Sequence, residues 1–208
     1  MRKIVPFDNF EEAIKSLDNG GRFYNILTKA EDGVISTAEL GKVSGLFNDK
    51  QKMILFLDVA TSKLEVSDRN KVISYLSDEL QLIYNSHKTR EVIDAKEMES
   101  IELSSNVIIT GIPKKIASKS NFNGFIMVPI VAGKVTTFSM IPIIDTYNVY
   151  EISDINSSTS CIIAHSKEFK KLPERQMKIA GVVKEITSKK DAEESSNKYV
   201  EALYYLEL

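Results

Sequence analysis

Residues 177–186 read MKIAGVVKEI and place Gly181 inside an apolar, β-branched run. After a polar gap, residues 199–208 read YVEALYYLEL, a second strand-like segment. An earlier run, VIITGIPKKI at 107–116, has the same form, with Gly111 after four apolar or β-branched residues. A glycine inside a strand marks a bulge, a tight bend or the close approach of another backbone. Small closed β-barrels need such points to turn their corners. The pattern constrains architecture and suggests a binding face, but it carries no chemistry of its own.

The chain has 208 residues, 43% of them hydrophobic and 27% charged, enough for one large packed domain or two ordinary ones. The formal charge of −2 argues against a surface dominated by nucleic-acid or anionic-membrane contacts. Residues 1–104 carry 14 Lys/Arg against 18 Asp/Glu, and residues 105–208 carry 13 against 11. This charge step coincides with a change of hydrophobic period. The single cysteine, Cys161, excludes an internal disulfide, and with only His87 and His165 a histidine-rich metal site is not expected. No metal and no cofactor is expected. The start, MRKIVPFDNFEE, lacks the apolar core of a signal peptide, and no run reaches the ~18 apolar residues of a membrane helix. The reading is a soluble, cytoplasmic protein with no membrane partner.

The first half has helical signals. Asp8 followed by Glu11 opens a helix over 9–17, closed by Asn19-Gly20-Gly21. A second helix is expected over 22–30. Ser36 with Glu39 forms a capping box for a helix through residue 47. Asn48-Asp49 caps the next helix, whose MILFLDVA stretch is apolar nearly all round and so belongs in a core. Ser67-Asp68 caps a last long helix with Val72, Ile73, Leu76, Leu80 and Ile83 on one face. Ile35-Ser36 and Val66-Ser67 form a weak repeat of helix mouths. Residues 87–105 are polar and read as a linker with a short helix near 92–98. Strands then follow near 107–112, 125–131, 135–144, 147–152 and 160–164, with a tight turn at Ala132-Gly133. Residues 166–172 have helical spacing and stop before Pro173.

A glycine-bent first strand, a hairpin, a short helix and a closing hairpin resemble the plan of the OB-fold. The passage VVKEI…YVEALYYLEL is similar to the last two strands of bacterial OB-like domains of the tRNA-anticodon-binding type. The resemblance spans residues 106–208 and departs from the plan in strand number, about seven instead of five, with the extra material assigned near 147–164. It implies an architecture and leaves the ligand class open among nucleic acid, sugar and protein. The first half resembles tellurite-resistance-type or EF-hand-like helical modules in the run EDGVIS…E from Glu31 to Glu39. It also resembles a helix-turn-helix in ISTAELGKVSGL. A calcium loop aligned on Gly33 puts Thr28 and Ala30 where carboxylates belong, so the acidic turn is a turn and Glu39 is a cap. In the DNA-reading register the recognition helix is the apolar MILFL segment, which lacks the polar side chains that read bases.

The densest cationic group is Lys167, Lys170, Lys171, Arg175 and Lys178. It suits a phosphate backbone if Phe122, Phe125, Tyr147 or Tyr150 serve as stacking platforms. The plain alternative is a solvated face partly neutralised by Glu168 and Glu174. His165 beside Ser160, Ser166 and Cys161 invites a nucleophile–base reading, yet strand alternation separates neighbours and no nucleophile elbow or phosphate-cradling glycine loop is present in the sequence. No catalytic residue is assigned.

The expectation is an α+β chain with a helical bundle over residues 1–100 and an OB-like antiparallel β-barrel over 105–208. It functions as a non-enzymatic binding protein whose barrel holds a protein or an oligomeric ligand. Single-stranded nucleic-acid binding by the barrel is the alternative, and a hydrolase with an unrecognised site is the second.

Overall fold

The computed structural model describes residues 1–20, 29–116, 124–132, 135–153, 160–188 and 197–208. The chain packs as two compact units, Arg2–Arg90 and Glu91–Leu208, the latter joined by Met1. It is a mixed α+β protein whose longer helices precede its barrel strands.

The first unit opens with a two-residue strand, β1 (Arg2–Lys3), and continues through α1 (Phe10–Leu17), α2 (Thr37–Ser44), α3 (Lys50–Ala60), α4 (Val66–Ser74) and α5 (Asp78–Ser86). The expected helix over 22–30 falls mostly outside the described residues. Asn9, one residue after the expected cap, accepts the Glu12 N–H and starts α1. The Ser36–Glu39 capping box is present at α2, and Gly45 closes that helix in the left-handed region at φ 74°. Every residue of α3 from Met53 to Ala60 is buried, so this helix has no face free to enter a DNA groove.

The long helix expected from Ser67 onward is two helices. Residues 75–77 leave the helical path because Ile35 forms a parallel bridge with Leu76. Ile35 N–H donates to the Tyr75 carbonyl at 2.7 Å, and Ser77 N–H donates to the Ile35 carbonyl at 2.9 Å. Ser77 then caps α5 by accepting the Leu80 N–H. Hydrophobic spacing could not reveal this break, since Val72, Leu76 and Leu80 are buried on either side of it. The true counterpart of Ile35-Ser36 is therefore Leu76-Ser77. Val66-Ser67 sits inside the first turn of α4 and caps nothing.

Asp58 is the polar centre of this unit. It is buried, and it accepts from Arg69 Nη2 at 2.8 Å, the Tyr84 hydroxyl at 3.2 Å and the Thr89 N–H at 3.3 Å. Burial, then the Asp58 charge, pushes the Tyr84 phenol up to about 12. The neutral phenol is the form the fold favours, so its contribution to stability is full below pH ~10 and is lost as pH rises through about 12. Unfolding free energy measured between pH 9 and pH 12 should fall in that window, and the Tyr84→Phe protein should show a shallower fall.

The second unit begins inside β2 (Arg90–Val92), which is followed by a 3-10 turn (Ala95–Ser100). Its strands are β3 (Asn106–Lys115), β4 (Gly124–Ala132), β5 (Val135–Pro142), β6 (Tyr147–Ser153), β7 (Ser160–Ser166), β8 (Met177–Ser188) and β9 (Asn197–Glu207), with a single-turn helix α6 (Ile143–Thr146) before β6. Five of these close a ring in the order β3-β6-β7-β9-β8 and back to β3. Four of the pairings are antiparallel, and β7–β9 is parallel, which corrects the expectation of a wholly antiparallel barrel. The parallel pair arises because β8 intervenes in sequence between β7 and β9.

Alternation along the strands gives the inner face to Val107, Ile109, Tyr150, Ile163, Ile179 and Val200. Val92, Met98 and Ile101 join that core. The segment read as a polar linker therefore closes against the barrel. The three residues it buries there follow no strict helical or strand period and stand among five acids, so they do not register as a pattern. Residues 166–172, expected to hold a short helix, instead end β7 at Ser166 and continue as a turn and irregular chain, and the Leu172 N–H donates to the Tyr150 hydroxyl at 3.0 Å.

Both strand glycines stand where backbones come close. A Cβ on Gly111 would lie 2.6 Å from the Ser153 carbonyl oxygen. A Cβ on Gly181 would press on the Glu201 carbonyl oxygen and lie 2.6 Å from Val200 Cγ1. The register shift of the β8–β9 ladder falls between Ala180 and Gly181, which is the bulge that the sequence suggests.

The additional strands are β4 and β5, a hairpin inserted between barrel strands β3 and β6. They are not the 147–164 segment, which supplies two barrel strands. The hairpin joins the ring through Gly124 and Phe125 of β4, opposite Ser188 and Thr187 of β8. β5 ends the sheet.

Candidate functional site

The structure divides the cationic group that the sequence brings together. Arg175 Nη2 lies 2.5 Å from Glu207 Oε1, and Lys178 Nζ lies 2.9 Å from Glu91 Oε1. Both charges are therefore met by carboxylates. Lys170 is exposed. Lys167 is exposed and donates from Nζ to the Asp145 carbonyl at 3.0 Å. Lys171 is exposed, and burial, then the Lys171 charge, lowers the pKa of Lys115, a residue outside the group that charge density along the sequence picks out. The signal was present: Lys115 follows Pro113 by two in β3, so alternation gives it the inward side of the strand.

The four proposed stacking aromatics fare differently. Phe122 lies outside the described residues. Phe125 is half-buried on β4. Tyr147 is half-buried at the start of β6, and burial, then the Glu201 carboxylate, raises its phenol pKa. Tyr150 is fully buried inside the barrel, with its ring stacked on His165 and its hydroxyl on Leu172 N–H. It cannot offer a face to a base. Its place in an alternating strand, with Ile152 two residues on, was the sequence sign that it points inward.

The outer face of β6 and β7 is also covered from within the same unit. Val149 of β6, Ala164 of β7, Tyr199 of β9 and Ile186 of β8 form a second apolar cluster with Ile143 of α6. Ile126 of β4 and Ile144 pack against it. The inserted hairpin and its single-turn helix thus lie over the surface that β6 and β7 would otherwise show to a ligand.

The opposite face of the hairpin has no such cover among the described residues. Met127 and Met140 are directly opposed across β4 and β5, and the alternation places Val131 and Phe138 on the same side. Their exposures are 50%, 43%, 69% and 63% respectively. Residues 124–142 contain one charged side chain, Lys134.

His165 is 1% exposed on the inward face of β7. Its Nδ1 sits 2.9 Å from the Ser166 carbonyl oxygen, so Nδ1 carries the proton in the neutral ring and Nε2 is the acceptor. Nε2 is buried without a hydrogen-bond partner. Burial holds the imidazole below its ordinary pKa. Cys161 is buried, and desolvation, then the Asp94 charge, pushes its thiol up to about 11. It is protonated at neutral pH and a poor nucleophile. Among the described residues, no group of His, Cys, Asp and Glu is arranged to hold a metal ion, and no helix is long and apolar enough to cross a membrane.

No protein-family model matches the chain, and no curated protein matches it.

Proposed function

We infer that the barrel is an OB-fold and that the chain is a non-enzymatic binding protein acting in the cytoplasm. Support for the fold comes from the strand order. Numbered along the ring, the barrel strands run 1-2-3-5-4 and return to 1, with strands 3 and 5 parallel, a five-stranded Greek-key closure of the kind expected for that fold. We propose likewise that the first unit is related to tellurite-resistance-type or EF-hand-like helical modules, on the run from Glu31 to Glu39.

The ligand of the barrel is a protein, held through the exposed face of the β4–β5 hairpin. One observation carries this reading: four large apolar side chains, two of them methionines, share one uncharged face beside a sheet edge. Exposed edge strands are ordinarily blunted with charges, and β5 has none. Methionine-rich surfaces repack readily against a partner, and an edge strand offers main-chain pairing to an extended segment. The nucleic-acid alternative is weakened because Tyr150 is internal and the β6–β7 face is occupied by Ile126 and Ile143. The hydrolase alternative is weakened by the protonated Cys161 and the buried His165.

A photoactivatable residue at Phe138 should capture a discrete protein in the native host. The double substitution Met127→Asp and Met140→Asp should reduce that adduct by about tenfold or more, the scale of two lost apolar anchors. An adduct pattern unchanged by the double substitution, or one made of nucleic acid, would remove the protein-binding reading.

A further inference from the structure

The chain between β7 and β8, residues 167–176, is a strap laid against the barrel. Charged side chains fasten its two ends. Lys167 Nζ donates to the Asp145 carbonyl at 3.0 Å, and Arg175 Nη2 lies 2.5 Å from Glu207 Oε1. Leu172 fastens the middle: its side chain is buried in the barrel core, and its N–H donates to the Tyr150 hydroxyl at 3.0 Å. The Tyr150 ring in turn stacks on His165 of β7, with centroids 5.5 Å apart and 18° between planes. One side chain therefore both holds the strap and covers the buried histidine.

His165 donates from Nδ1 to the Ser166 carbonyl, and its buried Nε2 has no hydrogen-bond partner. A proton added to Nε2 makes a buried cation whose new N–H meets no acceptor, a costly arrangement. The groups packed around the ring offer no relief. On β6, Asn148 stands opposite and is uncharged, and the Tyr150 phenol is kept neutral by burial. On β9 the inward residues are Val200 and Ala202. β3 contributes Lys115, and this ammonium and the Met1 amine are the charges that act on the ring, both positive. In the strap, Lys167, Glu168 and Lys171 are exposed, and α6, which packs on the outer face, carries the exposed Asp145. Burial, opposed by the Ser166 carbonyl and reinforced by the two positive charges, holds the imidazole below its ordinary value of about 6.5.

We propose that His165 and Tyr150 form an acid-operated latch: protonation of His165 releases Leu172, and the middle of the 167–176 strap lifts from the barrel while its ends stay fastened. Tyr150 covers one face of the imidazole, so hydrating the charged ring displaces Tyr150 and, with it, the hydroxyl that accepts the Leu172 N–H. The closed strap disfavours the charged ring. Its advantage is complete above pH ~6.5 and is lost as pH falls from there through the depressed value of the closed state. Within that window each opening takes up one proton, so the opening constant rises by up to about tenfold per pH unit. Opening bares Leu172 and the core beneath it, close in the chain to the half-exposed Phe169. The latch is separate from the hairpin face assigned to a protein partner, and it makes the apolar surface of the barrel dependent on pH.

The test follows two quantities by NMR on the full chain as pH is lowered from neutrality. One is the titration of the His165 ring. The other is the hydrogen-exchange protection of the Leu172 amide, corrected for the intrinsic pH dependence of exchange. Leu172 protection should fall by up to about tenfold per pH unit below pH ~6.5, in step with the ring, while the amides of the β3–β8 ladder keep theirs. His165→Phe leaves a ring beside Tyr150 that cannot take a proton, and it should remove most of the fall. His165→Gln should do the same and serves if the phenylalanine variant does not fold. The slope that remains in either measures the Met1 amine, which burial lowers to about 6. His87→Gln, in the other unit, should leave the wild-type response intact. The proposal is overturned if Leu172 protection falls equally without His165, if it falls together with the β3–β8 ladder, or if His165 titrates at its ordinary value while Leu172 stays protected.

Discussion

Gly181→Val should destabilise the protein by about 3 kcal/mol or more, at or beyond the upper end of what overpacking usually costs. The reason is local and severe. The first added carbon already presses on the Glu201 carbonyl oxygen and on Val200 Cγ1. The oxygen is backbone, and it belongs to the β8–β9 ladder that closes the ring. A flexible side chain could swing aside at small cost, whereas a ladder carbonyl moves only if the strand moves. Gly181→Ala should therefore be costly as well, in contrast to most exposed strand positions, where alanine improves on glycine. Urea denaturation followed by far-ultraviolet circular dichroism measures the effect. A midpoint within error of wild type for Gly181→Val would mean that the ladder relaxes freely, and the corner would lose its explanation.

The second large effect is expected at Asp58. Asp58→Ala removes the acceptor for Arg69, Tyr84 and the Thr89 N–H together. Removing one partner of a buried pair costs roughly 3–5 kcal/mol when the other charge is left dry. Arg69 is about a third exposed, so water can reach its guanidinium, which favours the lower figure. The Tyr84 hydroxyl is more deeply placed and gains no such relief. Asp58→Asn keeps one acceptor oxygen and loses the charge, so its cost should be about half as large, within the range of charge-assisted against neutral hydrogen bonds. The same denaturation experiment, run on both variants, checks the order. Equal stabilities of Asp58→Ala and Asp58→Asn would show that the acceptor atoms at this centre contribute little.

These two positions differ in how they could be found. Gly181 was legible, because a glycine amid β-branched residues has few explanations other than a bend or a close approach. Asp58 stood out only as a charge inside an apolar helix. Its partners come from residues 11, 26 and 31 positions later, and no local pattern connects them. The Ser36–Glu39 capping box was legible for the same reason as Gly181, since the motif is complete within four residues. The break between α4 and α5 was not. Leu76 keeps the helical hydrophobic spacing while its backbone pairs with Ile35, some forty residues earlier.

The candidate sites show the same division. Charge density along the sequence grouped Arg175 and Lys178 with Lys167 and Lys171, but Glu207 and Glu91 claim the first two. Lys115 enters the group from a strand more than fifty residues away. Tyr150 alternates with Ile152, which marks it as inward in the sequence, and the pairing of β6 with β3 and β7 encloses it.

By itself the sequence determined much of the local chemistry of this protein: most of the helical and extended segments, the Ser36–Glu39 cap, the close approaches at Gly111 and Gly181, and that the second half is strand-rich. Those features depend on neighbours a few residues apart, and the propensities and periods that encode them act over that range. Only the tertiary structure decided that five of the strands close a ring, that the β4–β5 hairpin is the insertion and shelters the β6–β7 face, and that Tyr150 and His165 stack inside the barrel. Ring closure depends on pairings between strands distant in sequence, where each strand has several partners of equal apolar character. Register and bulges, set by close backbone contacts such as that at Gly181, select among them.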